Sequence, residues 1–230
     1  MGKLLAALLC VSGVWAQAPD PPDPKTDSTA ESQAQTKDDK HILGVVPNYA
    51  TVNDPPKTFE PLTVGQKFIQ ANHDTFDPFN WVIAGVYAGV YQWQHDYPQW
   101  GQGAGAYWKR YGATFADGAI STYLTEGLFP TLLHEDPRYF RLGEGGKWHR
   151  IFYAMTRVLV TKTDAGYSRF NNSEIEGNLV AAAISNAYYP SGNRSFGDTM
   201  NKFGINVVSD AGFNVLREFW PDMRHKVLHR

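Results

Sequence analysis

Signals for the start of a helix recur along the chain from residue 63 onward, and they constrain the fold more than any other feature. Thr63 and Gln66 have the spacing of a capping box, in which each side chain bonds a backbone amide at the start of a helix. Asp77 followed by Pro78 is a second start, because proline fits the first helical position. We expect helices over about 63–72, 77–94, 103–128, 147–160, 173–188 and 195–220.

Later signals extend this helical pattern. Ser173 with Glu176 has the spacing of a second capping box, and Ser195 precedes the last predicted helix. Pro130 and Pro221 are expected to break or kink the chain, because proline lacks a backbone N–H. Between the helices, 161–172 is predicted to be a polar loop. In the last helix, apolar residues recur at spacings of three and four, namely Phe196, Met200, Phe203, Val207, Ala211 and Val215.

Glycine is frequent inside the predicted helices. Gly85 and Gly89 form a G-x-x-x-G pair in the second helix, and Gly177 shares a stripe with Ala181 and Ser185 in the fifth. Because glycine in a helix costs about 1 kcal/mol relative to alanine, this frequency indicates that helices approach each other closely. The predicted fold class is mainly α, a compact glycine-rich helical bundle of about five to six helices.

The first eighteen residues have the three parts of a secretory signal peptide. Lys3 supplies the positive charge, 4–15 is an apolar run, and 16–18 reads Ala-Gln-Ala, a signal-peptidase site. The run of about a dozen residues is too short to span a bilayer, which takes roughly 20. We therefore predict an exported protein of the periplasm or cell envelope.

The rest of the chain divides by composition. Residues 19–40 are rich in proline and aspartate and, apart from proline, contain no apolar residue larger than alanine, which predicts a disordered linker over 19–42. Residues 43–222 are predicted to form the helical domain, and 223–230 a basic C-terminal tail.

Charge and cysteine content exclude several classes of protein. With 21 Lys and Arg against 23 Asp and Glu, the chain has no excess of positive charge for binding nucleic acid. Its single cysteine, Cys10, lies inside the predicted leader, so neither a disulfide framework nor a cysteine-rich metal site is expected. Motifs for zinc proteases, nucleotide-binding loops and serine hydrolases are also missing. We therefore expect no cofactor and no metal site.

Aromatic residues are concentrated in one stretch, where nine Trp or Tyr residues fall between positions 81 and 111. The simplest interpretation is packing in the core. The alternatives are a membrane-interface belt or a stacking platform for sugars, and either requires several rings to be exposed on one side. The candidate binding residues are Trp81, Tyr87, Tyr91, Trp93, Trp100 and Trp108.

A few polar residues are candidates for chemistry. His134 and Asp136 lie close together after Pro130, and an imidazole beside a carboxylate can handle a proton. Asp117 and Glu126 lie upstream on the third predicted helix. The simpler interpretation is that 134–136 closes a helix end and pairs with a nearby arginine.

Five short runs resemble a family of exported bacterial proteins with no established activity. The resemblance covers roughly Pro47 to Asp222. It implies a bacterial envelope origin and transfers no catalytic residue. The runs are Phe115-Ala116-Asp117, Phe129-Pro130-Thr131-Leu132-Leu133-His134, Asp136-Pro137-Arg138-Tyr139-Phe140-Arg141, Ile184-Ser185-Asn186-Ala187-Tyr188-Tyr189-Pro190 and Glu218-Phe219-Trp220-Pro221-Asp222.

Three functions follow as expectations, of which the third is a soluble ligand-binding module that requires a sizeable apolar pocket between helices. The first is a structural or interaction protein of the cell envelope, associated with a membrane surface or an envelope protein through its aromatic-rich helices. The second is an envelope hydrolase or other enzyme acting on lipid or glycan, with His134 and the nearby carboxylates in its active site. No catalytic signature supports an enzyme, and the sequence leaves the oligomeric state open.

Overall fold

The computed structural model describes residues 41–42, 46–47, 51–52 and 59–228, and this part of the chain is mainly helical, as predicted. The predicted signal peptide and nearly all of the predicted linker lie outside the described residues. The helices are α1 (Val64–Thr75), α2 (Pro78–Trp93), α3 (Ala104–Thr122), α4 (Phe129–Leu133), α5 (Lys147–Thr156), α6 (Asn172–Ser185) and α7 (Phe196–Leu228).

Short strands tie the helices together. The strands are β1 (His41–Ile42), β2 (Val46–Pro47), β3 (Thr51–Val52), β4 (Glu135–Asp136), β5 (Tyr139–Phe140), β6 (Val160–Thr163) and β7 (Ser168–Phe170). The pair β1–β2 is antiparallel, β3 runs parallel to β5, and β4, β6 and β7 form an antiparallel sheet in that order. The predicted polar loop over 161–172 is therefore wrong in part, because most of it belongs to the β6–β7 hairpin.

The first two predicted helix starts are confirmed. Thr63 and Gln66 form the reciprocal capping box at the start of α1. Asp77 accepts a hydrogen bond from the backbone N–H of Phe79 at 2.9 Å, and Pro78 occupies the first turn of α2. These signals are local, so they could be read before any tertiary contact was known.

The predicted capping box at Ser173 is wrong. The N-cap of α6 is Asn171, whose side chain accepts from the backbone N–H of Glu174 at 3.1 Å. Ser173 donates instead to the Glu135 carboxylate, through its hydroxyl at 2.5 Å and its N–H at 2.8 Å. Ser173 therefore binds the buried carboxylate of Glu135 on β4 and does not cap the helix.

Both prolines are accommodated without the break expected from the sequence. Helix α3 continues through a π-helical segment, Tyr123–Leu128, into α4, and Pro130 lies in the first turn of α4, where a missing N–H does least harm. The prediction that the last helix ends before Pro221 is wrong, since α7 continues to Leu228. The acidic residues on either side of Pro221 are Glu218 and Asp222. Arg150 binds both of them and Arg141 binds Asp222, and these contacts hold this part of α7 where proline removes a backbone hydrogen bond.

The interior of the protein is polar for a domain of this size. The buried apolar residues are mostly alanines, and large apolar side chains are exposed on most of the helices. Since charged side chains are almost never fully buried without partners, each of them must be paired. The largest fully buried side chains are Arg110, Tyr189, Lys67, Glu135, Glu218, Asn178 and Asp136.

Ion pairs and hydrogen bonds satisfy these buried charges. Lys67 donates to both carboxylate oxygens of Asp164, at 2.8 and 2.9 Å, and to the carbonyl of Pro130 at 3.1 Å. Asp136 is bound by the guanidinium of Arg138. The core is therefore held by specific polar contacts as much as by apolar burial.

The close helix approach predicted from glycine occurs at particular positions. A Cβ on Gly177 of α6 would lie 2.8 Å from Cγ2 of Thr125 and 3.2 Å from its backbone, so only glycine fits there without a shift. A Cβ on Gly85 would lie 3.2 Å from the hydroxyl of Tyr107. At Gly89, by contrast, a Cβ would meet nothing within 4 Å, so the G-x-x-x-G pair is not a packing unit here.

Candidate functional site

A cleft with a cavity volume of about 390 Å³ lies between the C-terminal end of α2, α6 and α7, and we refer to it as the tyrosine cleft. The rings of Tyr91, Tyr97 and Tyr189 line it. Their centroids are 5.5 Å apart for Tyr91 and Tyr97 and 4.8 Å apart for Tyr97 and Tyr189. The rings form one continuous aromatic wall, and polar side chains supply the rest of the lining.

Asp117 of α3 lies at one end of the tyrosine cleft. Its two carboxylate oxygens accept hydrogen bonds from the hydroxyls of Tyr188 and Tyr189, at 2.5 and 2.6 Å. Burial raises the pKa of Asp117, although the two tyrosine hydroxyls and the charge of Lys202 act in the opposite direction. The carboxyl therefore binds protons more strongly than a solvated aspartate and fixes both tyrosines in place.

Lys202 of α7 supplies the positive charge of the cleft. Its Nζ donates to Oγ of Ser185 at 2.8 Å and lies 3.4 Å from the centroid of the Tyr189 ring. Burial lowers the pKa of Lys202, and the carboxylates of Asp117 and Asp198 act in the opposite direction. The ammonium thus occupies an aromatic face that would otherwise be open to a cation.

The loop that carries Tyr97 is held in a strained conformation. His95 and Tyr97 have φ angles of 60° and 55°, values that residues other than glycine rarely adopt. The buried guanidinium of Arg110 donates to the carbonyls of Asp96, Tyr97 and Gly101. This clamp holds the loop backbone so that Asp96 and Tyr97 line the cleft.

A second candidate surface is the outward side of α2, which we refer to as the α2 outer face. It consists of Val82, Val86, Val90 and Trp93, which are spaced three or four residues apart and are 63, 55, 37 and 77% exposed. The helix contains no charged residue, and its other side packs against α3. An apolar helix face that no described part of the chain covers is unusual for a surface element.

The six aromatic candidates separate into two groups. Tyr91 lines the tyrosine cleft, and Trp100 packs against Tyr97 and Tyr189 behind it. The other four rings are exposed, so packing in the core, the simplest interpretation of the sequence, does not describe them. These four are Trp81, Tyr87, Trp93 and Trp108.

Of the four polar candidates, only Asp136 and Glu126 line a common cavity. His134 closes α4 in the left-handed conformation, with its side chain 83% exposed. Asp136 is buried and paired with Arg138, as the simpler interpretation expected. Asp117 lies in the tyrosine cleft. Glu126, in the π-helical segment, lines a separate cavity of about 140 Å³ together with Asp136.

Glu126 belongs to a group of carboxyls that sequence reasoning missed. Its carboxyl faces that of Asp74 on α1, and Glu174 of α6 faces Asp210 of α7, with Arg217 close to all of them. Burial raises the pKa of each of the four carboxyls, and within each pair the neighbouring carboxyl raises that of the glutamate further. Burial and the close carboxyl of each pair therefore both favour the protonated form of the glutamate. Within the described residues, no group of three acidic, histidine or cysteine side chains is arranged to hold a metal ion.

Sequence reasoning also missed Ser185, Lys202 and Arg110. The first two meet across α6 and α7, and Arg110 acts on a loop about ten residues away in the chain, so no short motif marks them. The runs Phe115–Asp117 and Ile184–Pro190 were a usable signal, because their residues meet where Asp117 binds Tyr188 and Tyr189.

Comparison with known proteins returned no match. No family model, no curated protein and no solved structure matches this chain. The resemblance to a family of exported bacterial proteins therefore remains a prediction. Two of its runs, 136–141 and 218–222, meet through Tyr139 and Glu218, whose hydroxyl and carboxylate lie 2.7 Å apart.

Proposed function

We propose that this protein is an exported cell-envelope protein of structural or interaction type that associates with a membrane surface through the α2 outer face. The observation that carries the proposal is the exposure of this uncharged helix face next to a polar interior. Apolar side chains gain roughly 25 cal/mol for each Å² removed from water, so a face of this kind is stabilised by contact with lipid.

The length of α2 favours a position along the membrane rather than across it. Sixteen residues rising 1.5 Å each give a helix of about 24 Å, shorter than a hydrocarbon core of about 30 Å. Among the described residues, none of the helices combines the length and apolarity that crossing a membrane requires. Exposed Trp81, Tyr87 and Trp93 suit the headgroup region, where amphipathic rings concentrate.

The second function expected from the sequence, an enzyme with His134 and nearby carboxylates in one active site, has no geometric support. Asp136 and Glu126 line one cavity, but Asp117 lies in the tyrosine cleft and the His134 side chain is exposed to solvent. No specific observation favours hydrolysis over association with a surface.

Sedimentation with vesicles tests the membrane proposal. Full-length protein is mixed with vesicles of phosphatidylethanolamine and phosphatidylglycerol, and the bound fraction is compared with that of a Val82→Ser, Val86→Ser, Val90→Ser variant. At about 1 kcal/mol for each valine, the variant should bind roughly 100-fold more weakly. A matched control carries Leu132→Ser, Phe152→Ser and Val208→Ser, three apolar positions on other helices that are 62, 64 and 72% exposed.

The control should bind like the unmodified protein. Equal binding by the α2 variant would show that this face does not contact lipid, and failure of the unmodified protein to bind vesicles would overturn the proposal. Export is tested separately, by fractionating cells and sequencing the N-terminus of the recovered protein. A cytoplasmic protein with an intact N-terminus would contradict export.

A further inference from the structure

We infer that the tyrosine cleft is a binding site for a small, uncharged saccharide. The inference is independent of the α2 outer face, since none of the four residues of that face lines the cleft. Its first basis is size. A volume of about 390 Å³ lies within the range of about 300–1,000 Å³ that is typical of small-molecule sites.

The second basis is the backbone strain beside the cleft. Two non-glycine residues with positive φ, His95 and Tyr97, flank Asp96, and such conformations persist only where surrounding contacts enforce them. Arg110 supplies that enforcement with donors to the carbonyls of Asp96 and Tyr97. The arrangement positions Tyr97 in advance, as a ligand site requires.

The charges of the cleft select against ionic ligands. Asp96, Asp117 and Asp198 face the cleft with Lys202 as the cation among its lining residues, so an anion such as phosphate would meet an excess of carboxylates. A cationic ligand would need an aromatic face, and Lys202 already covers that of Tyr189. An uncharged ligand avoids both conflicts.

The remaining lining has the chemistry that sugars require. Gln94, Asn201 and Asn206 line the cleft, and their side-chain amides make no hydrogen bond within the described part of the chain. Each amide carries donors and acceptors that match adjacent hydroxyl groups. Tyr91 and Tyr97 offer ring faces for the apolar C–H side of a sugar ring. A cavity lined by both amides and rings therefore fits a polyhydroxylated ligand.

Titration calorimetry and saturation-transfer NMR on the full-length protein test the inference. The probes are glucose, N-acetylglucosamine, cellobiose and diacetylchitobiose, with inorganic phosphate and tetramethylammonium as the ionic comparison. We expect saturable binding of at least one sugar at one site per chain, and weaker or undetectable binding of both ions.

Variants locate the bound sugar. Asn201→Ala and Asn206→Ala should each weaken binding about three- to tenfold, the effect of losing one or two hydrogen bonds. Tyr91→Ala should abolish detectable binding while Tyr91→Phe retains it, because the ring rather than the hydroxyl makes the contact. Ser209→Ala, on α7 outside the cleft, should change nothing. Far-UV circular dichroism confirms that each variant is folded.

Two results would overturn the inference. One is that none of the four sugars saturates a site on folded protein, or that phosphate or tetramethylammonium binds there in their place. The other is sugar binding that Asn206→Ala and Tyr91→Ala leave unchanged, which would place the sugar elsewhere. Neither result depends on whether the protein binds vesicles.

Discussion

Replacing Glu218 with glutamine should destabilise the protein strongly. The Glu218 carboxylate is fully buried and accepts four hydrogen bonds, two on each oxygen. Oε1 accepts from the N–H of Gly143 at 3.0 Å and from Nε of Arg150 at 2.7 Å. Oε2 accepts from the hydroxyl of Tyr139 at 2.7 Å and the N–H of Leu142 at 3.0 Å. Burial opposes the charge, and these donors outweigh it, so the pKa of Glu218 lies below its ordinary value.

The magnitude follows from these contacts. Glutamine keeps one acceptor oxygen and presents an NH₂ group to the two donors on the other side, which lose their acceptor. A hydrogen bond to a charged group contributes about 1.5–3 kcal/mol, and breaking one side of a buried ion pair costs about 3–5 kcal/mol. Arg150 keeps Asp222 as a second partner. We therefore expect Glu218→Gln to lower the free energy of unfolding by about 3–5 kcal/mol.

Urea denaturation followed by far-UV circular dichroism measures this loss. The midpoint should fall by about 1 M or more with an unchanged slope, since the slope for small proteins is about 1–3 kcal/mol per M. Glu176→Gln is the matched control, because Glu176 is exposed on α6 and should change stability by less than about 0.5 kcal/mol. A loss below about 1 kcal/mol in the Glu218 variant would refute the reasoning that this carboxylate anchors α7.

The remaining predictions concern pH and close packing. The pKa values of the two carboxyl pairs are raised in the folded protein. The pairs therefore contribute fully to the free energy of unfolding at pH values below about 4, and this contribution is lost as the pH rises through their folded-state pKa values. The urea midpoint should therefore fall as the pH rises above about 4, and Glu126→Gln should flatten that dependence; an unchanged slope would contradict the raised pKa of the buried pair. Gly177→Ala should destabilise by about 1–3 kcal/mol through overlap with Thr125, whereas Gly89→Ala, with open space at its Cβ, should stabilise by about 0.4–1 kcal/mol. Thermal or urea unfolding of the two variants side by side checks this opposite pair of signs, and equal effects would refute the packing argument.

The features that could be predicted from the sequence are the local ones. Thr63 and Asp77 begin helices through contacts within three residues, so their signals are complete in the sequence. Pro221 shows the opposite case. Its neighbours on α7 are bound by Arg141 and Arg150, which lie about seventy to eighty residues earlier, and no local rule anticipates those contacts. The hairpin of β6 and β7 was missed for a similar reason, since it pairs with buried β4.

Of the residues in the candidate site, some could be selected from the sequence and others could not. Asp117 and Tyr91 were selected from the sequence for their chemistry, and both line the tyrosine cleft. Lys202 and Ser185 were not, because a lysine and a serine seventeen positions apart on two helices form no motif. His134 was selected for its chemistry alone, and its position at the end of α4 leaves it in solvent.

The distribution of polarity connects the fold with the proposed membrane association. Burying Glu218, Asp136 and Arg110 requires partners for each charge, and the protein provides them within its own interior. Close packing through alanine and glycine then leaves little interior room for large apolar side chains, so these lie outside. Apolar surface left in water contributes nothing to folding. Replacing valines of the α2 outer face with serine should therefore leave the free energy of unfolding nearly unchanged. Folding alone does not require an uncharged helix face at this position. The proposed contact with a membrane surface would account for this face, and the vesicle experiment measures that contact directly.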